Sequence, residues 1–197
     1  MNTSRTKTKI FQFGALLVIG LLSITTSSGQ TKYTGNSGNV TIDGTSTLHD
    51  WNMKSANGRT EVTMTLKNGQ ITDVSALSFT VDATSLKSNK SGLDKNAYKA
   101  LHTSTSKNIT YKATSGTVSK SGGHYIIKTN GTLSIGGTTK PLALSSAATV
   151  NSDNIVSVKG SATFNMSNYG VTPPTVMMGT IKTGDEITIT YDTKLKN

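Results

Sequence analysis

The sequence predicts an all-β fold, a single antiparallel up-and-down barrel of about eight strands with one short helix, and three observations carry the prediction. Apolar residues alternate with Thr, Ser and Lys in run after run, the period-two signature of strands with one buried face. Short Gly- and Asn-containing turns separate the runs, so nearly every connection is local. Helical spacing occurs in a single stretch of the mature chain, residues 91–101. Two packed sheets could be built from similar strands, but a sandwich ordinarily needs longer Greek-key crossovers. A barrel of eight strands has an interior just wide enough to be filled by its own side chains or to hold one small ligand.

The 197-residue chain opens with Arg5, Lys7 and Lys9, an apolar run over residues 10–24, and small residues Ser27, Ser28 and Gly29 before Gln30. That order of basic, apolar and small segments is a secretory signal peptide over residues 1–30. At about 15 residues the run is shorter than the ~20 a membrane-spanning helix needs. There is no cysteine, hence neither a disulfide framework nor a lipoprotein-type attachment site. The mature chain is expected to be soluble, periplasmic or secreted, and stabilised by its core. The formal charge is +10, but the lysines outside the leader are dispersed singly among Thr and Ser. No basic block interleaved with aromatics is present, which argues against nucleic acid as a partner.

Residues 31–37 are polar and read as a flexible spacer, with the barrel domain spanning 38–197. Val40 and Ile42 share a face, and the chain then passes through Thr45, His49 and the single tryptophan, Trp51. Val62, Met64 and Leu66 alternate up to an Asn68-Gly69 turn that places Ile71 opposite Leu66. Leu77, Phe79 and Val81 keep that parity, while Asp73 and Ser75 interrupt it and predict a bulge. In the helix Leu93, Ala97 and Leu101 recur every four residues, with Asp94 early and Lys99 late as the helix dipole prefers. Such a helix would plug one end of the barrel or serve it as a lid.

Ile109, Tyr111 and Ala113 begin the next strand, and a turn at Gly122-Gly123 places Val118 opposite Ile127. In residues 131–144 a two-residue Gly136-Gly137 loop pairs 131 with 142 and 133 with 140. Leu133, Ile135, Leu142 and Leu144 then share one face. Lys140 and Pro141 place this hairpin at a barrel end, where charge reaches water and a missing donor is tolerated. An odd loop centred on Asp153 leads to Val156, Val158, Ala162, Phe164 and Met166. The last segment carries Tyr169, Met177 and Met178, and Ile181 is expected to turn through Thr183-Gly184-Asp185 into Ile187, Ile189 and Tyr191.

Four motifs in order, residues 44–51, the helix with Asn108-Ile109-Thr110-Tyr111, the 131–144 hairpin, and Asn168-Tyr169-Gly170-Val171 leading to Gly184-Asp185-Glu186-Ile187, resemble the YceI-like family. The resemblance covers roughly residues 38–195. It implies a lipocalin-like barrel in the bacterial periplasm whose interior holds a long isoprenoid chain of polyprenyl or quinone type. His49 within Leu-His-Asp-Trp departs from the commoner family pattern and marks a divergent branch.

The lining expected for such a cavity is Met64, Phe79, Tyr111, Leu133, Ile135, Phe164, Met166, Tyr169, Met177 and Met178, methionine being suited to irregular apolar shapes. The same residues could instead pack against one another in a filled barrel. His49, His102 and His124 lie far apart and lack metal-site spacing, so neither catalytic nor metal-ligating residues are expected. Tyr98 and His102 stand one turn apart on the helix, within reach of a headgroup if they are not simply solvated. The expected function is non-enzymatic carriage of an isoprenoid lipid, with no cofactor beyond that lipid. The alternative is an exported interaction module with a solid core. No stable membrane insertion is expected after leader removal, and a homodimer is an option.

Overall fold

The computed structural model describes residues 29–197. The expected signal peptide lies almost wholly outside them. Among the described residues nine strands form: β1 (Thr31–Ser46), β2 (Trp51–Lys67), β3 (Gln70–Asp82), β4 (Asn108–Ser121), β5 (His124–Ile135), β6 (Thr138–Val150), β7 (Val156–Asn165), β8 (Thr175–Val176) and β9 (Ile181–Leu195). The helix α1 (Ser91–Ala100) joins β3 to β4, and a 3-10 turn over Met166–Tyr169 follows β7. Sheet order is β1-β2-β3-β4-β5-β6-β7-β9, with β9 pairing back onto β1, so eight antiparallel strands close into a barrel. The two-residue β8 is a flap on the outer end of β9. Among the described residues no helix is long and apolar enough to cross a membrane.

Local chemistry sets the registers. Gly136 and Gly137 both adopt positive φ, and the hairpin they close pairs Gly131 with Leu142 and Leu133 with Lys140. Leu66 faces Ile71 and Val118 faces Ile127, as the turn signals require. Register shifts beside Met64 and Leu66 absorb the break of alternation at Asp73 and Ser75. Asp94 accepts hydrogen bonds from Ser88 N at 2.8 Å and Ser88 Oγ at 2.7 Å, which ties the start of α1 to the segment leading into it. The Ser88 hydroxyl holds the Asp94 carboxyl below the usual carboxylate range.

Two expectations are corrected. Residues 31–37 are no spacer: they form the first half of β1, pairing from Thr31↔Met64 to Gly35↔Thr60, with Tyr33 buried in the core. Its single apolar side chain conceals the strand in the sequence, since Thr31, Gly35 and, past a register shift, Gly38 occupy the other positions of that face. Nor does the chain turn at Gly184, where β9 runs straight through. There Gly184 admits the Thr45 hydroxyl, and Asp185 accepts hydrogen bonds from Ser167 N and Oγ, which explains polar residues within a strand. The hairpin lies earlier, around Met177-Met178-Gly179, all at positive φ.

The barrel has two unlike halves. At the end away from α1, Tyr33, Val62, Met64, Ile71, Val74, Tyr125, Ile127, Ala148, Val156, Val158 and Leu195 form a filled core. At the α1 end a second cluster surrounds an open space. The strand pairing differs in parallel. β6 pairs with β7 only from Ser145↔Ser161 to Val150↔Val156, although β7 continues along β9 to Asn165. Residues 138–144 of β6 therefore have no partner on the β7 side, and a seam opens in the upper wall. Pro141 stands on that seam. Three steps from the closing Ile135↔Thr138 pair, its amide position faces away from β5 and toward β7, where it offers no donor to zip the strands together.

Candidate functional site

The open half contains a cavity of about 480 Å³, within the range of small-molecule sites. Its walls include Ile42, Met53, Ile109, Ile135, Ile187 and Ile189 from the strands, together with Phe164, Met166, Tyr169 and Val171 around the 3-10 turn. Phe164 and Tyr169 meet edge to face, ring centroids 5.0 Å apart. Over the mouth lies α1, presenting Leu93, Ala97, Ala100 and Leu101. No α1 residue is fully buried, so the helix rests on the opening and does not fill it.

The rim is formed by the β1–β2 turn, β8 and the start of α1. Trp51 packs over Gly44 and donates its indole N–H to Thr45 O at 2.9 Å. His49 Nδ1 lies 2.7 Å from the Asp50 carbonyl, which can only accept, so the Nδ1 proton is placed there and Nε2 is left to accept from Lys90 Nζ at 3.4 Å. The histidine therefore engages its neighbour's backbone and not the Asp50 carboxylate. His49 and Lys90 are the basic side chains of the lining, and both stand at the rim; the Tyr169 phenol, pushed above its ordinary pKa by burial, stays neutral. Tyr98 donates to the carbonyls of Thr84 and Leu86, which anchors α1, while His102 lies just past the helix at positive φ.

Beneath the large cavity is a smaller one of about 80 Å³. The two share Ile42, Ile109, Phe164 and Ile189, so these side chains form a wall common to both. A belt of hydroxyls runs around the smaller one at mid-barrel, Thr60, Tyr111, Thr129, Ser146, Tyr191 and Thr193, and Val62, Met64, Val74, Ile127, Val158 and Leu195 of the lower core line it as well. The Tyr111 ring lies across Gly131 and the Tyr191 ring across Gly160, positions where an added Cβ would overlap the tyrosine. The Tyr111 hydroxyl lies 2.9 Å from Thr129 Oγ1, and the Tyr191 hydroxyl 2.7 Å from Ser146 Oγ. Burial pushes both phenols above their ordinary pKa, which keeps them protonated.

Of the lining residues expected from the sequence, the structure brings Ile135, Phe164, Met166 and Tyr169 to the large cavity and Met64, Phe79, Tyr111, Leu133 and Phe164 to the small one. Met64, wholly buried, belongs to the filled core below. Met177 and Met178 are corrected: they form the exposed β8–β9 turn, with relative exposures of 72% and 108%, and line neither cavity. Their positive φ is set by the tight hairpin, which points both side chains to solvent. Sequence reasoning missed the α1 face, β8 and, apart from Tyr111, the hydroxyl belt as lining. Alternation could have flagged Thr60, Thr129, Ser146 and Thr193, which occupy inward positions of their strands.

A YceI-like domain model matches residues 11–195. No curated protein matches the sequence. Among solved structures, BcnA of Burkholderia cenocepacia is similar at a TM-score of 0.63 and 13% identity, covering 81% of this chain and 96% of its own. A polyisoprenoid binding domain from Saccharophagus degradans, implicated in plant cell wall breakdown, gives 0.61 and 8%, covering 85% and 99%. The YCEI protein of Campylobacter jejuni gives 0.51 and 13%, covering 70% and 81%. At these identities the three likenesses concern the fold.

Proposed function

The chain belongs to the YceI-like family, and from that premise we propose that it is a non-enzymatic carrier of a long-chain isoprenoid lipid, of polyprenyl or quinone type, in the bacterial envelope. The observation that carries the reading is the 480 Å³ cavity, whose walls are almost wholly apolar from the α1 mouth down to the hydroxyl belt. A flexible hydrocarbon needs no specific partner there. Each buried CH₂-sized group contributes about 0.8 kcal/mol, so a single five-carbon unit contributes roughly 4 kcal/mol before the entropy of ordering is set against it. The polyisoprenoid binding named for the Saccharophagus domain, on the same fold, supports this ligand class. The leader read from residues 1–30 supports the envelope setting.

A solid interaction module is the second reading, and the filled lower half favours it. Native mass spectrometry of protein purified gently from its host separates the two. The carrier reading expects a stoichiometric apolar adduct, or uptake of added polyprenol or quinone. A bare mass with no uptake overturns it. Phe164→Asp places a carboxylate in the half-buried wall of the cavity and is expected to abolish loading while the circular dichroism of the barrel is retained.

A further inference from the structure

Two hydroxyls in the belt have no partner. Thr60 Oγ1 and Thr193 Oγ1 are both buried without a hydrogen bond, and each residue is only 6% exposed. A buried hydroxyl left unpaired forfeits its bonds to water and gains nothing in return. Valine would fill the same shape without that loss, so nothing in the packing calls for threonine at either position. The two also occupy one patch of wall. Gly35 of β1 is the register partner of Thr60, and Thr193 Oγ1 lies 2.7 Å from where a Cβ on Gly35 would stand.

We propose that the hydroxyl belt is a recognition site for a neutral oxygen, a hydroxyl or carbonyl, carried at the end of the isoprenoid chain, so that the ligand sits with its polar end at mid-barrel and its tail toward α1. This rests on the carrier reading above. Thr60 and Thr193 supply the free donors and acceptors, beside Tyr111–Thr129 and Ser146–Tyr191, which already satisfy each other. The side chains lining the small cavity are all uncharged. A phosphate would lose its hydration there with no cation to replace it, whereas a neutral oxygen exchanges water for protein hydroxyls. The shared wall of Ile42, Ile109, Phe164 and Ile189 borders both the mouth cavity and the belt cavity, so a chain seated along it would touch both.

The test compares two probes of equal carbon count, hexaprenol and the hydrocarbon squalene, on the wild type and on the Thr60→Val/Thr193→Val double variant, by competition against a fluorescent lipid. Wild-type protein is expected to prefer hexaprenol by at least about tenfold. In the double variant that preference disappears through weaker hexaprenol binding, squalene affinity is unchanged, and the thermal midpoint holds or rises. A single outcome in which the double variant keeps the wild-type preference overturns the proposal, leaving the belt as a site for ordered water. If wild type binds both probes equally, the carrier reading stands and this inference falls. If it binds neither, the carrier reading falls and takes this one with it.

Discussion

The two halves of this barrel are made from the same strands, with the same alternation and similar side chains, yet one is solid and the other hollow. Ile71, Val74, Val156 and Leu195 below are matched above by Ile42, Ile109, Ile135, Ile187 and Ile189. Side-chain volume therefore does not distinguish them. Ladder closure does. In the closed half β6 and β7 are laddered together from Ser145↔Ser161 to Val150↔Val156, and β2 is laddered to β3 from Arg59 to Lys67; above these spans both pairs part, and the circumference is free to widen. The hydroxyl belt sits at the change between the two regimes, where glycines let Tyr111 and Tyr191 lie flat against the wall.

The largest effect expected from this contrast comes from deleting the same atoms in each half. Ile71→Ala removes a fully buried side chain from the solid core and is expected to cost about 2–5 kcal/mol in urea-unfolding free energy. Ile189→Ala, half-buried and already facing a cavity, is expected to cost less than half as much. Equal losses would mean that the upper half is packed like the lower and that the hollow is not a property of the folded protein.

Adding atoms reverses the test with a smaller effect. Ala148→Phe overfills the closed half and is expected to destabilise by about 1–3 kcal/mol. Ala97→Phe points from α1 into the cavity, where the ring finds room; stability is expected to change by less than about 1 kcal/mol while lipid uptake falls. Destabilisation by Ala97→Phe with uptake intact would place the lipid elsewhere.

Most of the closed half was legible in the sequence. Alternation fixes which residues face inward, and loop parity at Asn68-Gly69, Gly122-Gly123 and Gly136-Gly137 fixes the registers, because a one-residue slip would turn every inward side chain out. The α1 helix was legible for the same reason, its apolar residues recurring every four positions. The hollow was not. It arises from a ladder that stops, and strand separation leaves no mark in the alternation of either strand. Its one local trace is Pro141, whose missing donor faces β7, and the sequence alone could assign that proline only to a barrel end. Met177 and Met178 failed as lining for a related reason: the chain reverses at Met177-Met178-Gly179, while Thr183-Gly184-Asp185 offers the more obvious turn composition.

The smallest effect expected is an acid response confined to the open end. Asp94 ties α1 to Ser88, and Asp82 accepts from Thr84 N and Oγ1 in the segment that links β3 to the helix. Hydrogen bonding, from the Thr84 side chain above all at Asp82 and from the Ser88 side chain at Asp94, holds both carboxyls below their ordinary pKa. A carboxyl that binds its proton less tightly folded than unfolded contributes stability above its unfolded pKa and loses it as pH falls through the lower folded value. Asp82 is exposed and Asp94 only half-buried, so the contribution is modest. Amide exchange is expected to rise in residues 82–100 as pH is lowered from 5 toward 3, after correction for the intrinsic rate, while Val62, Ile71 and Val156 in the closed half keep their protection. Asp94→Asn should reproduce the loosening of α1 at pH 7 and remove its share of the acid response. Simultaneous loss of protection in both halves would show that acid acts on the whole barrel and not on the α1 end separately.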